Sequence, residues 1–280
     1  MMKYKKYRPS KEEYDGFIEY LVEEISKKQP KTCFYIYGSY ARGDYTVGRS
    51  DIDGGIILDS DVITNKTKVM ELAKIIKEGL EQNRITPQIN LLDRKTNQDG
   101  RFMSYTSDYT NYFKEQAKVL SGPNYIGEMH GLESKPSVLN RTAFNFRKIR
   151  NGLLYSLDNL ETDDKKFVED FEKSLDVVAG LPKNLVMMVD GKLIPDKFKS
   201  VERIKEIFPD VDYGTLEYVI YLLKNPEEID DLFNDSQEVL RVWQGALTSL
   251  EELVKAFIDK YPLSQNTKNY SLKEEQSGGG

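Results

Sequence analysis

Side chains that carry covalent or redox chemistry are scarce in this sequence. Its 280 residues include one cysteine, Cys33, and one histidine, His130. A single cysteine excludes an internal disulfide bond, and Cys33 begins a strand-like run, where a core position is expected. His130 lies in a glycine-flanked loop, and we find no histidine–serine or histidine–cysteine pair for nucleophilic catalysis. Any catalysis is therefore expected to depend on other side chains.

Long apolar runs and an excess of positive charge are also absent. No run of consecutive apolar residues exceeds seven, whereas a membrane-spanning helix needs about 20. The basic residues near the N-terminus are not followed by an apolar stretch, so no secretory signal is predicted. Forty basic and 46 acidic residues give a net charge of −6, which disfavours a broad nucleic-acid-binding face and suits a small or cationic substrate. We expect a cytoplasmic protein.

The first part of the chain combines helix and strand patterns. Ser10 and Glu13 have the spacing of a capping box, and the apolar residues from Tyr14 to Ile25 follow a helical period. The elements predicted next are strand 32–37, strand 52–58, helix 64–82 and strand 88–92. This order predicts a small α/β unit with a mixed sheet.

The rest of the chain has helical periods and few strand signals. Turn-forming residues make the stretch 121–136 the best candidate for an interdomain connection. We therefore expect an α+β protein with a small mixed-sheet domain at 1–125, an all-helical bundle at 126–262 and a disordered tail at 263–280. Asp190-Gly191 fits either a two-residue hairpin turn or the end of a helix, and both alternatives stay open.

One segment combines a glycine–serine turn with two closely spaced carboxylates. Gly38 and Ser39 follow a strand, and a phosphate can approach Gly38 closely while Ser39 offers an amide and a hydroxyl. Asp51 and Asp53 stand two residues apart at the start of the next strand, which places both on one face, about 7 Å apart. Paired carboxylates are hard oxygen ligands for Mg²⁺, and substrate phosphates and water complete its shell. The combination predicts phosphoryl or nucleotidyl transfer.

This pattern resembles the signature of the nucleotidyltransferase superfamily of DNA polymerase beta. The matching residues are Tyr37-Gly38-Ser39 and, after a spacer of eleven residues, Asp51-Ile52-Asp53-Gly54. The resemblance is specific over 34–58, and it points to the minimal, antibiotic-modifying and antitoxin branch. Leu120–Pro123 and Val189–Lys197 are similar to aminoglycoside-type members, which modify kanamycin or streptomycin and close a helical domain over nucleotide and drug.

The resemblance implies a reaction and its participants. It implies Mg²⁺-dependent transfer of a nucleoside monophosphate, in the first place AMP from ATP, to a hydroxyl of a small, aminoglycoside-like acceptor. Gly38 and Ser39 would hold the β- and γ-phosphates, and Asp51 and Asp53 would bind the metal ions. The alternatives are a protein-nucleotidylating enzyme of the antitoxin type and a nucleotide-binding protein that has lost catalysis.

The third carboxylate of the family signature is replaced in this sequence. By register its position is Asn90, which offers a neutral oxygen and cannot act as a base. Asp93 is the nearest substitute, although its odd offset places it on the opposite strand face unless a bulge intervenes. Glu128 and Glu133, in the junction to the helical region, are the other candidates for the base.

Further polar and basic residues are candidates for contacts to phosphate. Arg42, Ser50 and Lys197 are candidate nucleotide-binding residues. Alternatively, Arg42 braces the loop through Asp44, and Ser50 is a turn residue. A basic cluster lies on a predicted helix of the helical region and consists of Arg141, Arg147, Lys148 and Arg150. It either clamps a triphosphate or forms a solvated helix face.

Overall fold

The computed structural model of the protein describes residues 6–102 and 105–261. The tail that the sequence predicts at 263–280 lies outside the described residues. Within the described ranges, no helix is long and apolar enough to cross a membrane.

A four-stranded mixed sheet forms the N-terminal part of the fold. Its strands are β1 (Cys33–Tyr37), β2 (Ile52–Leu58), β3 (Pro87–Asp93) and β4 (Lys118–Ser121), in the order β3-β2-β1-β4. β1 is antiparallel to β2 and to β4, whereas β2 and β3 are parallel. The predicted mixed sheet is therefore confirmed. The sequence pattern does not predict β4, because this short strand owes its conformation to pairing with the edge of β1.

Different helices bury the two faces of β1. The helices of this part are α1 (Lys11–Lys28), α2 (Gly38–Arg42), α3 (Lys66–Gln82), α4 (Arg94–Asp99) and α5 (Ser107–Gln116). Phe34 and Ile36 pack with α1 and α3 on one face. Tyr35 and Tyr37 pack with α5 on the other, as the alternation of strand side chains requires. This packing holds the end of β1 and the start of α2 in a defined position.

The second part of the described chain is mostly helical. Its helices are α6 (Ser134–Leu154), α7 (Ser156–Thr162), α8 (Asp164–Asp190), α9 (Lys199–Ile207), α10 (Gly214–Lys224), α11 (Pro226–Leu232) and α12 (Ser236–Lys260). The long α8 packs against α6, α9, α10 and α12. Trp243 is fully buried, and its ring meets those of Phe167 and Phe171 at centroid distances of 5.8 and 5.7 Å. The predicted fold class, a small mixed sheet followed by a helical region, is confirmed.

Asp190-Gly191 ends a helix rather than turning a hairpin. α8 runs to Asp190, and Gly191 adopts a left-handed φ of 67°. Its amide donates to the carbonyl of Met187 at 3.0 Å. Glycine is favoured at this position because the left-handed conformation costs it little. Of the two alternatives that the sequence leaves open, the helix end is therefore the correct one.

The stretch expected to connect the two parts is packed against the sheet. It contains a short 3₁₀ helix, Ile126–Glu128, and both Ile126 and Met129 are buried beside α5. Ion pairs also join the two parts directly. Arg8 binds Glu172 of α8 at 2.8 Å and Asp230 of α11 at 2.6 Å. These contacts hold α8 over one end of the sheet, where a cleft remains.

Candidate active site

The cleft has a volume of about 850 Å³ and lies between the end of β1, the start of β2 and α8. This size suits a nucleotide-sized ligand. Among the residues that line it are most of the candidate site residues: Gly38, Ser39, Arg42, Ser50, Asp51, Asp53 and Lys197. Folding therefore brings candidate residues from both parts of the chain to one cavity.

The close approach of Gly38 to Asp53 explains the glycine of the motif. Tyr37 at the end of β1 lies opposite Asp53 in the antiparallel pair with β2, and Gly38 then turns the chain with a φ of 77°. A Cβ atom on Gly38 would lie 2.3 Å from Oδ2 of Asp53. Both the backbone angle and the neighbouring carboxylate therefore require glycine at this position.

Asp51 and Asp53 form a pair of like charges that is partly buried. Burial and the charge of Asp51 raise the pKa of Asp53 to about 7, against the lowering effect of Lys183. Burial and the charge of Asp176 raise the pKa of Asp51. A cation bound between the two carboxylates would stabilise their ionised forms and reverse this shift.

The donor set fits a divalent cation that prefers hard ligands. Within the described ranges, no group of three or more His, Cys, Asp or Glu residues is placed to hold a metal ion, so the candidate site consists of the two carboxylates. Mg²⁺ beside nucleotides is usually bound in this way, by one or two carboxylates together with water and phosphate oxygens. Asp51 and Asp53 therefore fit the metal that the resemblance implies.

Asp53→Asn is expected to stabilise the protein at pH 8 when a chelator is present. The pKa of Asp53 is about 7 in the folded state and about 4 in an unfolded chain. Between these values the folded protein keeps a proton that the unfolded chain has released, so stability falls as pH rises and stays low above pH 7. Asparagine does not titrate. We expect a gain of about 2–4 kcal/mol, or roughly 5–10 °C in Tm, at pH 8 and a smaller gain at pH 5.

Thermal unfolding at both pH values measures this effect, and added Mg²⁺ tests its cause. Mg²⁺ should raise the Tm of the wild type at pH 8 and reduce its difference from Asp53→Asn, because the cation relieves the same repulsion. A variant that is less stable than the wild type at both pH values without metal would contradict the argument.

Arg42 and Ser50 form polar contacts with neighbouring residues. The guanidinium of Arg42 lies 3.1 Å from Asp44 and donates through Nη1 to the hydroxyl of Tyr112 at 3.0 Å. The Ser50 hydroxyl accepts from the amide of Thr46 at 2.9 Å. Both residues therefore shape the loop, in line with their alternative roles, and both also line the cleft.

Lys197 and Arg49 meet at Asp176 on α8. Lys197 lies 2.8 Å from one carboxylate oxygen of Asp176, and Arg49 lies 2.8 Å from the other. Burial would raise the pKa of Asp176, but the two cations lower it well below its usual range. Asp176 therefore stays ionised and holds one cation from each part of the chain near Asp51.

Asp93 does not lie at this site. It pairs with Leu58 at the far end of β2, whereas Gln88 pairs with Asp53. The two positions on β3 are five residues apart, which is roughly 16 Å along a strand. The Asp93 carboxylate caps α4 by accepting from the amide and hydroxyl of Thr96 at 2.7 and 2.6 Å. This position gives no support to Asp93 as the base, and its carboxylate serves as a helix cap.

The other candidates for the third carboxylate also lie away from the pair. Glu128 forms an ion pair with Arg94 at 2.6 Å, and Glu133 precedes α6 with an exposed side chain. Neither belongs to the described residues that line the cleft. Asn90 pairs with Gly55 and donates to the hydroxyl of Tyr105 at 2.7 Å. The β3 residue beside Asp53 is thus Gln88, two positions before the one expected.

The basic cluster on α6 divides between the cleft and the outer surface. Arg141 lines the cleft. Arg150 pairs with Glu251 at 2.6 Å, and the guanidinium of Arg147 lies 5.7 Å from the ring centroid of Phe144. A contact to a triphosphate therefore remains a hypothesis for Arg141, whereas Arg150 and Arg147 form the helix face of the alternative interpretation.

Sequence reasoning missed the polar face of α8. Lys173, Asp176, Gly180 and Lys183 recur every three or four residues and line the cleft. The apolar residues of the same helix follow a helical period, which predicts only its core contacts; they include Phe167, Phe171, Leu175 and Val178. The polar spacing opposite these apolar residues is a signal that would have indicated a second functional face.

Residues 18–101 match the model of a family described as the nucleotidyltransferase domain. The match includes β1, β2 and β3 and both halves of the motif, Gly38-Ser39 and Asp51 with Asp53. This part of the chain is therefore similar to a nucleotidyltransferase domain, as the resemblance predicts. The helical region lies beyond the match, and no curated protein matches the chain.

Proposed function

We propose that this protein is a Mg²⁺-dependent nucleotidyltransferase that moves a nucleoside monophosphate, in the first place AMP from ATP, to a hydroxyl of a small acceptor. The observation that carries the proposal is the pair Asp51 and Asp53 beside the Gly38-Ser39 turn, in a cleft that α8 covers. The family match over 18–101 supports nucleotidyl transfer in general. The resemblance of the helical region supports a cationic acceptor like an aminoglycoside; the cleft itself is lined by as many basic as acidic residues.

In this proposal, the two parts of the chain bind the triphosphate from opposite sides. The amide and hydroxyl of Ser39 bind β- and γ-phosphate oxygens, while Lys183 and Lys197 contribute positive charge from the helical part. Positioning of the reacting groups and neutralisation of phosphate charge account for most of the rate in reactions of this type. As the acceptor oxygen bonds to the α-phosphorus, the bond from that phosphorus to the bridging oxygen breaks, pyrophosphate leaves, and the hydroxyl proton passes to solvent.

Asp51 and Asp53 would hold the Mg²⁺ ion. When bound, this ion supplies charge neutralisation and orients phosphate oxygens. The chain itself keeps the two carboxylates in place: Gly38 leaves room for the carboxylate of Asp53. Near Asp51, Asp176 binds Lys197 and Arg49. These two side chains keep positive charge at the nucleotide.

Pyrophosphate release tests the proposal. Each of the four common nucleoside triphosphates is incubated with Mg²⁺ and with a panel of small hydroxyl acceptors that includes aminoglycosides. We expect release that requires Mg²⁺, one preferred triphosphate and an acceptor, and an acceptor product heavier by one nucleoside monophosphate. Tight binding of Mg·ATP without release for any acceptor would contradict transfer.

A nucleotide-binding protein without transfer activity is the second candidate. The observation in its favour is that β3 presents the amides Gln88 and Asn90 where the family has a carboxylate. In that case, Gln88→Asp, which places a carboxylate in register with Asp53, should create transfer that the wild type lacks. An active wild type would exclude this candidate.

Ser39→Ala is expected to weaken the binding of Mg·ATP by roughly 10- to 100-fold, since a hydrogen bond to a charged group contributes about 1.5–3 kcal/mol. Isothermal titration calorimetry measures the change. The Tm of the apo protein should stay within about 2 °C of the wild type, because a small substitution at the cleft surface removes little packing. Unchanged affinity for Mg·ATP would remove Ser39 from the phosphate site.

A further inference from the structure

Tyr112 on α5 connects the two groups of the motif that face the phosphate site. Its hydroxyl oxygen accepts hydrogen bonds from the amide of Gly38 at 3.2 Å and from Nη1 of Arg42 at 3.0 Å. The side chain is 6% exposed and lines the cleft. Tyr112 lies beyond residues 18–101, which match the family, and the motif does not include it.

The hydroxyl proton of Tyr112 can form a further hydrogen bond. An amide and a guanidinium only donate, whereas a tyrosine hydroxyl has two acceptor positions and one proton. The bonds from Gly38 and Arg42 therefore use the lone pairs of the oxygen. Within 6–102 and 105–261 no residue accepts the proton. Because the hydroxyl lies at the wall of the cleft, the proton is available to an acceptor atom of a ligand there.

We propose that the Tyr112 hydroxyl donates a hydrogen bond to a β- or γ-phosphate oxygen of the bound nucleoside triphosphate. The inference rests on the proposed function, which places these phosphates at Gly38 and Ser39. Arg42 strengthens this bond, because a hydroxyl that accepts a hydrogen bond from a cation becomes a better donor. The triphosphate site therefore extends from the motif to α5.

Packing by itself does not require the hydroxyl of Tyr112. The ring lies 5.8 Å from that of Phe113, and a phenylalanine at position 112 would keep this contact. Tyr109, one turn earlier on α5, provides a matched control for the loss of a tyrosine hydroxyl. It also lines the cleft, but its hydroxyl makes no hydrogen bond to Gly38 or Arg42.

The test compares Tyr112→Phe and Tyr109→Phe with the wild type by calorimetric titration. The probes are Mg·ATP and Mg²⁺ with inorganic tripolyphosphate, which carries the phosphates without base or sugar. We expect Tyr112→Phe to weaken the binding of both probes by roughly 10- to 100-fold. The Tm of this variant should stay within about 2 °C of the wild type. Tyr109→Phe should change either affinity by less than about threefold.

Two results for Tyr112→Phe would overturn the inference. Wild-type affinity for both probes would show that the hydroxyl does not reach a phosphate. Weaker binding of Mg·ATP with unchanged binding of tripolyphosphate would place the contact at the base or sugar instead.

Arg42→Gln separates a direct contact from an effect through Arg42. If Tyr112 donates to phosphate itself, Tyr112→Phe should still weaken tripolyphosphate binding by about tenfold in the Arg42→Gln background. If the effect of Tyr112→Phe disappears there, Tyr112 acts only by orienting Arg42, and the inference is wrong. A wild-type protein that binds neither probe would refute the proposed function itself, before any variant is compared.

Discussion

Replacing Asp51 and Asp53 together by asparagine is expected to reduce nucleotidyl transfer by roughly three orders of magnitude or more. A metal-bound phosphate gains several kcal/mol of charge stabilisation in the transition state, and each 1.36 kcal/mol corresponds to a factor of ten in rate. Asparagine keeps the shape of the side chain but removes the charge that would hold the proposed metal ion. The measurement is the rate of pyrophosphate release at saturating ATP and Mg²⁺.

Asp93→Asn is the matched control for this double variant. Asp93 caps α4 at the opposite end of the β2–β3 pair, and asparagine is also a good N-cap. The rate should therefore stay within about threefold of the wild type, with little loss of stability. A large loss of rate in Asp93→Asn would restore it as the base. Transfer that survives in the double variant would exclude Asp51 and Asp53 from the mechanism.

Gly38→Ala is expected to reduce transfer by roughly 100-fold or more and to destabilise the protein. The added Cβ would lie 2.3 Å from Oδ2 of Asp53, so either the turn or the carboxylate must move. A displacement of about 1 Å at a reacting centre can cost about 100-fold in rate. The positive φ of 77° adds about 1–2 kcal/mol of backbone strain. Pyrophosphate release and thermal unfolding measure the two effects.

Gly43→Ala separates backbone strain from the contact with Asp53. Gly43 also has a positive φ, 85°, but an added Cβ would meet no atom within 4 Å. This variant should lose about 1 kcal/mol of stability, or about 2–4 °C in Tm, with little change in rate. Equal losses of rate in the two variants would show that the contact with Asp53 is not the cause.

The candidate site was predictable where its geometry is local in sequence. Gly38 and Ser39 follow a strand directly, and strand alternation alone places Asp51 and Asp53 on one face. The third position was not predictable, because it depends on how β3 is aligned with β2. That alignment places Gln88 beside Asp53 and Asn90 beside Gly55. Gln88 and Asn90 lie on the same face of β3, so strand alternation alone does not tell which of the two is the neighbour of Asp53.

The α8 residues that line the cleft show more clearly what a periodic sequence pattern cannot predict. The sequence predicts this helix from its apolar stripe, but the stripe does not tell what lies opposite its polar face. Lys183 becomes relevant because α8 packs over the sheet and brings its charge near Asp53. The sequence motif likewise does not include Tyr112. Its proposed role rests on the contact of its hydroxyl with Gly38 and Arg42.

The sequence by itself determined the local elements, the mixed sheet and the motif, because turn residues, side-chain alternation and helical periods act over a few neighbouring residues. Tertiary structure alone decided the strand register, the addition of β4 and the contents of the cleft. These depend on contacts between residues far apart in the chain, such as those of Arg49 and Lys197 with Asp176. Such contacts depend on the position of α8 relative to the sheet, and no local sequence pattern determines that position.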